Sequence, residues 1–415
     1  MNVVRRTAAA LAAAVVLGTA ATPLAQAADP SPSPSVALPS GLFGTSDPTY
    51  DGVWRQSLAL LAQDTMGLTP AWKATDWLAR QQCDNGGFAA YRAEPAKDCD
   101  AKTVVDTNST AAAVQALAAV GDYEAATGKA VDWLKSVQNK DGGWGYTPGG
   151  PSDANSTAVV IGALTAAGEK PDAVVKDGKS PYDALLKLAI PCDEKDGGAF
   201  AYQPDKKGTL AANADATAAA VLGALGKGLA AEAGREAGQK AGRKAEPTCA
   251  DAKTPEQAAA NGAAYLTKTL AKDGHLTSAL PGAEDQPDYG NTADAVVALA
   301  AQGGAAQAAK PLTWLEQNSA NWARQSGPAA YAQLILAAHA AGADPKDFGG
   351  TDLVAQLNAT GPTPQLHVQD RAVAKAADKD DEDEGLTFGV WWYVGVFLVV
   401  GIGIGFLLSN RNKRQ

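Results

Sequence analysis

Five carboxylates in this chain stand at the openings of apolar segments: Asp51, Asp106, Asp153, Asp215 and Asp294. The carboxamides Asn108, Asn155 and Asn291 share such openings, and Tyr50, Trp54, Tyr146 and Tyr202 lie beside them. Polar groups flanked by aromatic faces suit a small-molecule site. An Asp at a helix opening is also the ordinary cap of a first turn. Both roles stay open for Asp106, Asp153 and Asp215. Phe88 and Trp144 follow Gly-Gly pairs and are expected to pack between repeats, whereas Tyr91, Tyr146 and Tyr202 divide between packing and ligand contact. Metal chemistry has little to work with. His275, His339 and His367 are not spaced as ligands, and no cysteine pair reads C-x-x-C. Cys83, Cys99, Cys192 and Cys249 read instead as two disulfides of an oxidising exterior. Of the three pairings open to four cysteines, Cys83–Cys99 and Cys192–Cys249 close each irregular loop locally.

These residues ride on a repeat of about 50 residues. Residues 130–164 state it in full. An amphipathic helix carries Trp133 and Leu134. A turn, Asp141-Gly-Gly-Trp144, follows with Tyr146, and then Asp153-Ala-Asn155-Ser156-Thr157 opens an almost wholly apolar helix. The pattern recurs at Asn85-Gly86-Gly87-Phe88 with Asp106-Thr-Asn108-Ser109-Thr110, and at Asp196-Gly197-Gly198-Ala-Phe200 with Asn213-Ala-Asp215-Ala-Thr217. Degenerate copies precede and follow. An outer helix with one apolar stripe and an inner helix apolar on most sides describe a curved or closed α/α array. The chain opens with an inner helix, 54–63, that lacks an outer mate. It ends with an outer helix, 351–358, that lacks an inner one. If the orphans pair, six inner and six outer helices close a ring. The expected fold is therefore all-α, an α6/α6 toroid over 41–361. Residues 227–251, rich in Ala, Gly, Lys and Glu, are expected as an exposed insertion.

The flanks read differently. Residues 1–27 have the charged start, short apolar core and small-residue cleavage site of an export signal. A Pro/Ser linker fills 28–40. An acidic stalk covers 362–386, and 387–409 is apolar over membrane-spanning length, with Trp391, Trp392 and Tyr393 at its start. Residues 410–415 carry Arg411, Lys413 and Arg414, which places them in the cytoplasm and the ring outside. The expected partner is thus the membrane, through a single span. A net charge of −10 argues against nucleic acid.

With these turns and helix openings on the page, the chain resembles the terpenoid cyclase and protein prenyltransferase toroid superfamily, over roughly 41–361. Gln138-Asn-Lys-Asp141-Gly-Gly-Trp144-Gly is similar to the Gln-Trp repeat motif of squalene and oxidosqualene cyclases. The resemblance implies the toroid; it does not by itself imply the activity. Class II cyclases protonate substrate with the middle acid of Asp-x-Asp-Asp-Thr-Ala, and Asn213-Ala-Asp215-Ala-Thr217-Ala218 keeps that acid but neither flanking one. Without them Asp215 is expected to be an ordinary carboxylate. The zinc set of the prenyltransferases and the Gly-Cys-Gly-Glu-Gln run of the thioester domains have no counterpart.

The incomplete motif favours binding over catalysis. The sequence is therefore read as a cell-surface protein that captures a small molecule, with a corrinoid as the specific candidate ligand, or a partner surface or transport protein. The resemblance supplies that candidate, because cobalamin carriers share the superfamily. No cofactor is expected. The alternatives are an isoprenoid-acting enzyme, with Asp215 as its acid, and a structural or adhesive surface module.

Overall fold

The computed structural model describes residues 39–234, 249–279, 285–303 and 305–366. The export signal, the apolar span, the cytoplasmic tail and most of the linker and stalk fall outside the described residues. Among the described residues, no helix is long and apolar enough to cross a membrane.

The described chain is helical. In order come α1 (Gly52–Thr65), α2 (Trp72–Ala79), α3 (Thr107–Val120), α4 (Glu124–Ser136), α5 (Ala154–Ala166), α6 (Pro181–Leu188), α7 (Ala214–Ala224), α8 (Pro255–Leu270), α9 (Tyr289–Gly303), α10 (Ala305–Asn318), α11 (Ala320–Ser326), α12 (Pro328–Ala340) and α13 (Leu353–Ala359). The apolar helices pack in a circuit. Helix α1 lies on α3, α3 on α5, α5 on α7, α7 on α9, α9 on α12, and α12 returns to α1. Helices α2, α4, α6, α8, α10 and α13 pack outside them. The inner helices bury nearly every side chain of their second and third turns, mostly Ala, Val and Leu. Small residues let the inner helices approach closely; a Cβ on Gly223 would meet Ala158 at 2.8 Å.

The chain ends seal the circuit. Strand β1 (Leu68–Thr69) pairs antiparallel with the last strand, Gln365–Leu366. Gln63 Nε2 donates to Asn358 Oδ1 at 2.8 Å, and the Gly44 N–H donates to the Thr360 carbonyl at 2.8 Å. The predicted packing of the orphan helices on each other is not seen: the Gln63–Asn358 bond links them, but α13 packs on α12.

Each turn is pinned to its inner helix by one threonine. The hydroxyls of Thr110, Thr157, Thr217 and Thr292 accept from the backbone N–H of Phe88, Trp144, Phe200 and Leu276. Phe88 and Trp144 are buried, as their packing role requires. Gly142 sits in the left-handed region at φ 92°, and a Cβ there would come within 2.2 Å of the Ser180 carbonyl oxygen. Only glycine allows that contact between successive repeats. Both disulfides join the expected partners, Cys83–Cys99 and Cys192–Cys249.

The segment 227–251 departs from expectation at its start. Residues 227–234 are not an exposed loop. They cross the C-terminal ends of the inner helices and floor the bore. The Leu229 N–H donates to Gln115 Oε1 at 2.8 Å, the Gly234 N–H to the Ala300 carbonyl at 2.9 Å, and Ala231 is buried. Repeated Gly and Ala gave no apolar stripe to read, but small residues are what such a tight crossing needs.

Candidate functional site

The floor and the first turns of the inner helices enclose a cavity of about 190 Å³ in the bore. Asn108 of α3, Asn155 of α5, Asp215 of α7 and Trp54 of α1 face it, together with Asp294 of α9 and Lys227 of the floor. Ala158, Val159, Ala219, Leu222 and Val297 make its apolar wall.

Capping separates the predicted acids into two kinds. Asp106 Oδ1 accepts from the Ser109 N–H and Asp153 Oδ1 from the Ser156 N–H, each at 2.7 Å. Both cap their helices and both are buried. Burial pushes their carboxyls above the usual range against those bonds. Asp215 is different. Asn213 caps α7, accepting from the Ala216 N–H at 2.8 Å. Asp215 therefore stands two residues inside the helix, in the register of Asn108 and Asn155. Asn155 Nδ2 donates to Asp215 Oδ2 at 2.7 Å. Burial raises the Asp215 carboxyl above its ordinary value; the Asn155 bond opposes this, and the charges of Asp288 and Asp153 add to it. Asp215 is thus not the ordinary carboxylate that the missing flanking acids suggested.

Asp294 faces the same cavity. Gln333 Nε2 of α12 lies 3.3 Å from each of its carboxylate oxygens. Burial, then the Asp215 charge, push its carboxyl up to about 7. At the other end of the cavity the Lys227 Nζ donates to the carbonyls of Glu232 (3.0 Å) and Ala301 (3.3 Å), and burial lowers its basicity. Asn108 Oδ1 and Asn155 Oδ1 are buried without a hydrogen-bond donor.

The other predicted residues do not converge here. Tyr50, Asp106 and Tyr146 line a separate surface groove of about 630 Å³. Asp51 pairs with Arg55 at 3.3 Å. Tyr202 donates to Asp153 Oδ2 at 3.4 Å and is substantially exposed. Asn291 Nδ2 donates to Asp288 Oδ2 at 2.7 Å. The sequence set all of them on one rim because Tyr50, Asp51, Asp106 and Asn291 lie at inner-helix starts and Tyr146 and Tyr202 beside them. The first turn presents successive residues in different directions, so in α3, α5 and α7 it is the first-turn residue two past the cap that looks into the bore. Asp294, expected on the same rim, also faces the bore, and Lys227 had no sequence signal beyond its neighbouring glycines.

The model of the prenyltransferase alpha-alpha toroid domain matches residues 53–231. A drimenyl diphosphate synthase from Streptantibioticus cattleyicolor is 40% identical over 80 residues, which is 19% of this chain and 13% of that protein. Among solved structures, an ent-copalyl diphosphate synthase from Streptomyces platensis aligns over 70% of this chain and 50% of its own, with a TM-score of 0.46 and 17% identity. A sugar epimerase from a ruminal bacterium aligns over 71% of this chain and 79% of its own, with a TM-score of 0.41 and 14% identity.

The expectation of a surface binding module, holding a corrinoid or a partner protein, is corrected by the sequence relative, which is a synthase. The geometry agrees with the correction. The predicted rim contacts divide: Trp54, Asn108, Asn155 and Asp215 meet in the bore, and the others lie outside it. Residues 53–231 thus match a prenyltransferase alpha-alpha toroid domain, and this match and the synthase relative support the resemblance to the terpenoid cyclase and protein prenyltransferase toroid superfamily.

Proposed function

We propose that this protein is an enzyme that acts on an isoprenoid by protonating it, with the bore cavity as active site and Asp215 as an acid. The observation that carries this reading is the position of Asp215. It is released from capping by Asn213 and directed into an enclosed, largely apolar cavity. Burial there raises its hold on a proton above that of an ordinary carboxylate, as an acid working near neutral pH requires. An alkene that accepts it becomes a carbocation. The apolar wall keeps water away from that cation, and the Trp54 indole stabilises positive charge in the same space. The 40% identical stretch shared with a drimenyl diphosphate synthase supports the same substrate class.

The closed circuit of inner helices supports reading the domain as an α6/α6 toroid, with α13 completing the outer ring. We further propose that the ring is exported and tethered outside the membrane by 387–409, where it meets an isoprenoid at the membrane surface. Protease added to intact cells then removes the toroid; a protected toroid overturns this topology.

The test of the activity is incubation of the full chain with isoprenoid diphosphates of several lengths, with products identified by mass spectrometry. A rearranged or cyclised product that disappears in Asp215→Asn establishes the reading. No product from any of them, or product unchanged in Asp215→Asn, overturns it.

A further inference from the structure

We infer that Asp294 is the second half of the acid: Asp215 and Asp294 hold one proton between them at neutral pH, and this proton is the one the cavity delivers. The inference rests on the enzyme reading for the delivery step, but not for the shared proton.

Both acids that flank the middle one in the cyclase motif are replaced here, by Asn213 and Ala216. The structure supplies a carboxylate from another place. Asp294 comes from α9, the inner helix beside α7, and faces the same enclosed space as Asp215. Two carboxylates in a small apolar cavity repel each other at low dielectric, so the second ionisation is opposed. Little offsets that repulsion. Neither carboxylate forms a salt bridge among the described residues. Lys227 is the cation that lines the cavity, and its ammonium is turned to two backbone carbonyls of the floor. Asp288 and Asp153 add further negative charge near Asp215.

The groups around each acid divide the roles. Asn155 gives Asp215 a charge-favouring hydrogen bond at 2.7 Å. Among the described residues, the approach of Gln333 at 3.3 Å is the hydrogen-bond contact of the Asp294 carboxylate. The proton therefore resides mainly on Asp294 while Asp215 carries the charge, and burial raises both carboxyls in keeping with this. Coupled acids of this kind titrate as a pair. In the delivery step an alkene π pair takes the proton, a C–H bond forms, and a carbocation is left opposite a fully ionised pair. Loss of a proton from a carbon beside the cation returns it to the pair, so atoms and charge balance over the cycle.

The test is infrared difference titration of the full chain, reading the C=O band of protonated aspartic acid, together with turnover. A protonated carboxyl that persists to about pH 7, and is lost in Asp294→Asn, is the expected result. Asp215→Asn should move its midpoint down, because a like charge is gone. Gln333→Leu should move it up, because a donor to the carboxylate is gone. Two shifts of opposite sign are not what general loosening produces. A band that survives Asp294→Asn, or a midpoint indifferent to Asp215→Asn, overturns the shared proton. If the band behaves as expected, kcat should fall by at least about 100-fold in Asp294→Asn; unchanged turnover overturns its role in delivery. Absence of turnover in the unmodified chain, with the band and both shifts present, overturns the enzyme reading and with it delivery, while the shared proton stands.

Discussion

Asn155 donates to Asp215 across the first turns of two neighbouring inner helices, Nδ2 to Oδ2 at 2.7 Å. The two residues occupy the same register in successive repeats, two positions past the cap. One repeat thus supplies the acid and the preceding repeat supplies the group that holds it. A hydrogen bond to a carboxylate favours its charged form and so weakens its hold on a proton.

Replacing Asn155 by Ala should therefore strengthen the proton affinity of Asp215. The alkaline limb of the pH–rate profile, where the donor loses its proton, should move to higher pH. A fall in rate with no displacement of that limb would show that Asn155 serves structure alone.

Asp294 carries a stability signature that needs no substrate. In strong acid it is neutral in both folded and unfolded chains. As pH rises, the unfolded chain ionises first, and the folded chain keeps its proton until about 7. The stability that the neutral group contributes is present at low pH and lost as pH passes through the folded value. Asp294→Asn stays neutral throughout. Its Tm relative to the unmodified protein should rise between about pH 4 and pH 7 and level off above that. A difference that is flat across this range counts against a buried, proton-retaining Asp294.

The threonine pins allow a test of the repeat itself. Thr157 accepts the Trp144 N–H at 3.1 Å, and both residues are buried. Thr157→Val keeps the shape and removes the acceptor. Leaving that N–H unpaired should cost about 1–3 kcal/mol in chemical denaturation. A cost near zero would mean that the turn finds another acceptor.

The disulfides should not be equal. Cys83–Cys99 spans 16 residues and Cys192–Cys249 spans 57. Chain entropy gives about 3 kcal/mol for the shorter loop and about 4 kcal/mol for the longer. Replacing the second pair by Ser should therefore lower Tm more than replacing the first. The reverse order would point to structure retained in the reduced, unfolded chain.

Much of this architecture was legible because it repeats. Trp133-Leu134, Gly142-Gly143-Trp144 and Asp153 through Thr157 each recur at one spacing, and periodicity of that kind fixes which helix is outer and which inner. The site was less legible. Asp106 and Asp215 look alike in sequence, but one caps its helix and the other faces the bore, a difference of two residues in register. Asp294 was expected on the same rim, but nothing local marks it as the partner of Asp215, since the ring brings α7 and α9 together. The floor was misread because its tight packing depends on small residues, and small residues leave no hydrophobic pattern.

That floor offers a last test, one that links packing to product. Gly228 lies against Gln115 so closely that a Cβ would sit 2.3 Å from Gln115 Oε1. Gln115 is committed on both sides, accepting from the Leu229 N–H at 2.8 Å and donating to the Val159 carbonyl at 3.0 Å. Gly228→Ala must displace one or the other. Either way Leu229 and Val159, both lining the cavity, lose a fixed neighbour. Breaking a buried bond of this kind should cost about 1–3 kcal/mol of stability. The same change opens the cavity at the end remote from Asp215, where water would then reach a carbocation. Products in which water has been captured should rise relative to those formed by proton loss. Because Asp215 and Asp294 are untouched, the rate of the protonation step should stay within a few-fold of the unmodified enzyme. A product mixture that does not change, despite the loss of stability, would place the chemistry away from the floor and nearer the mouth of the bore.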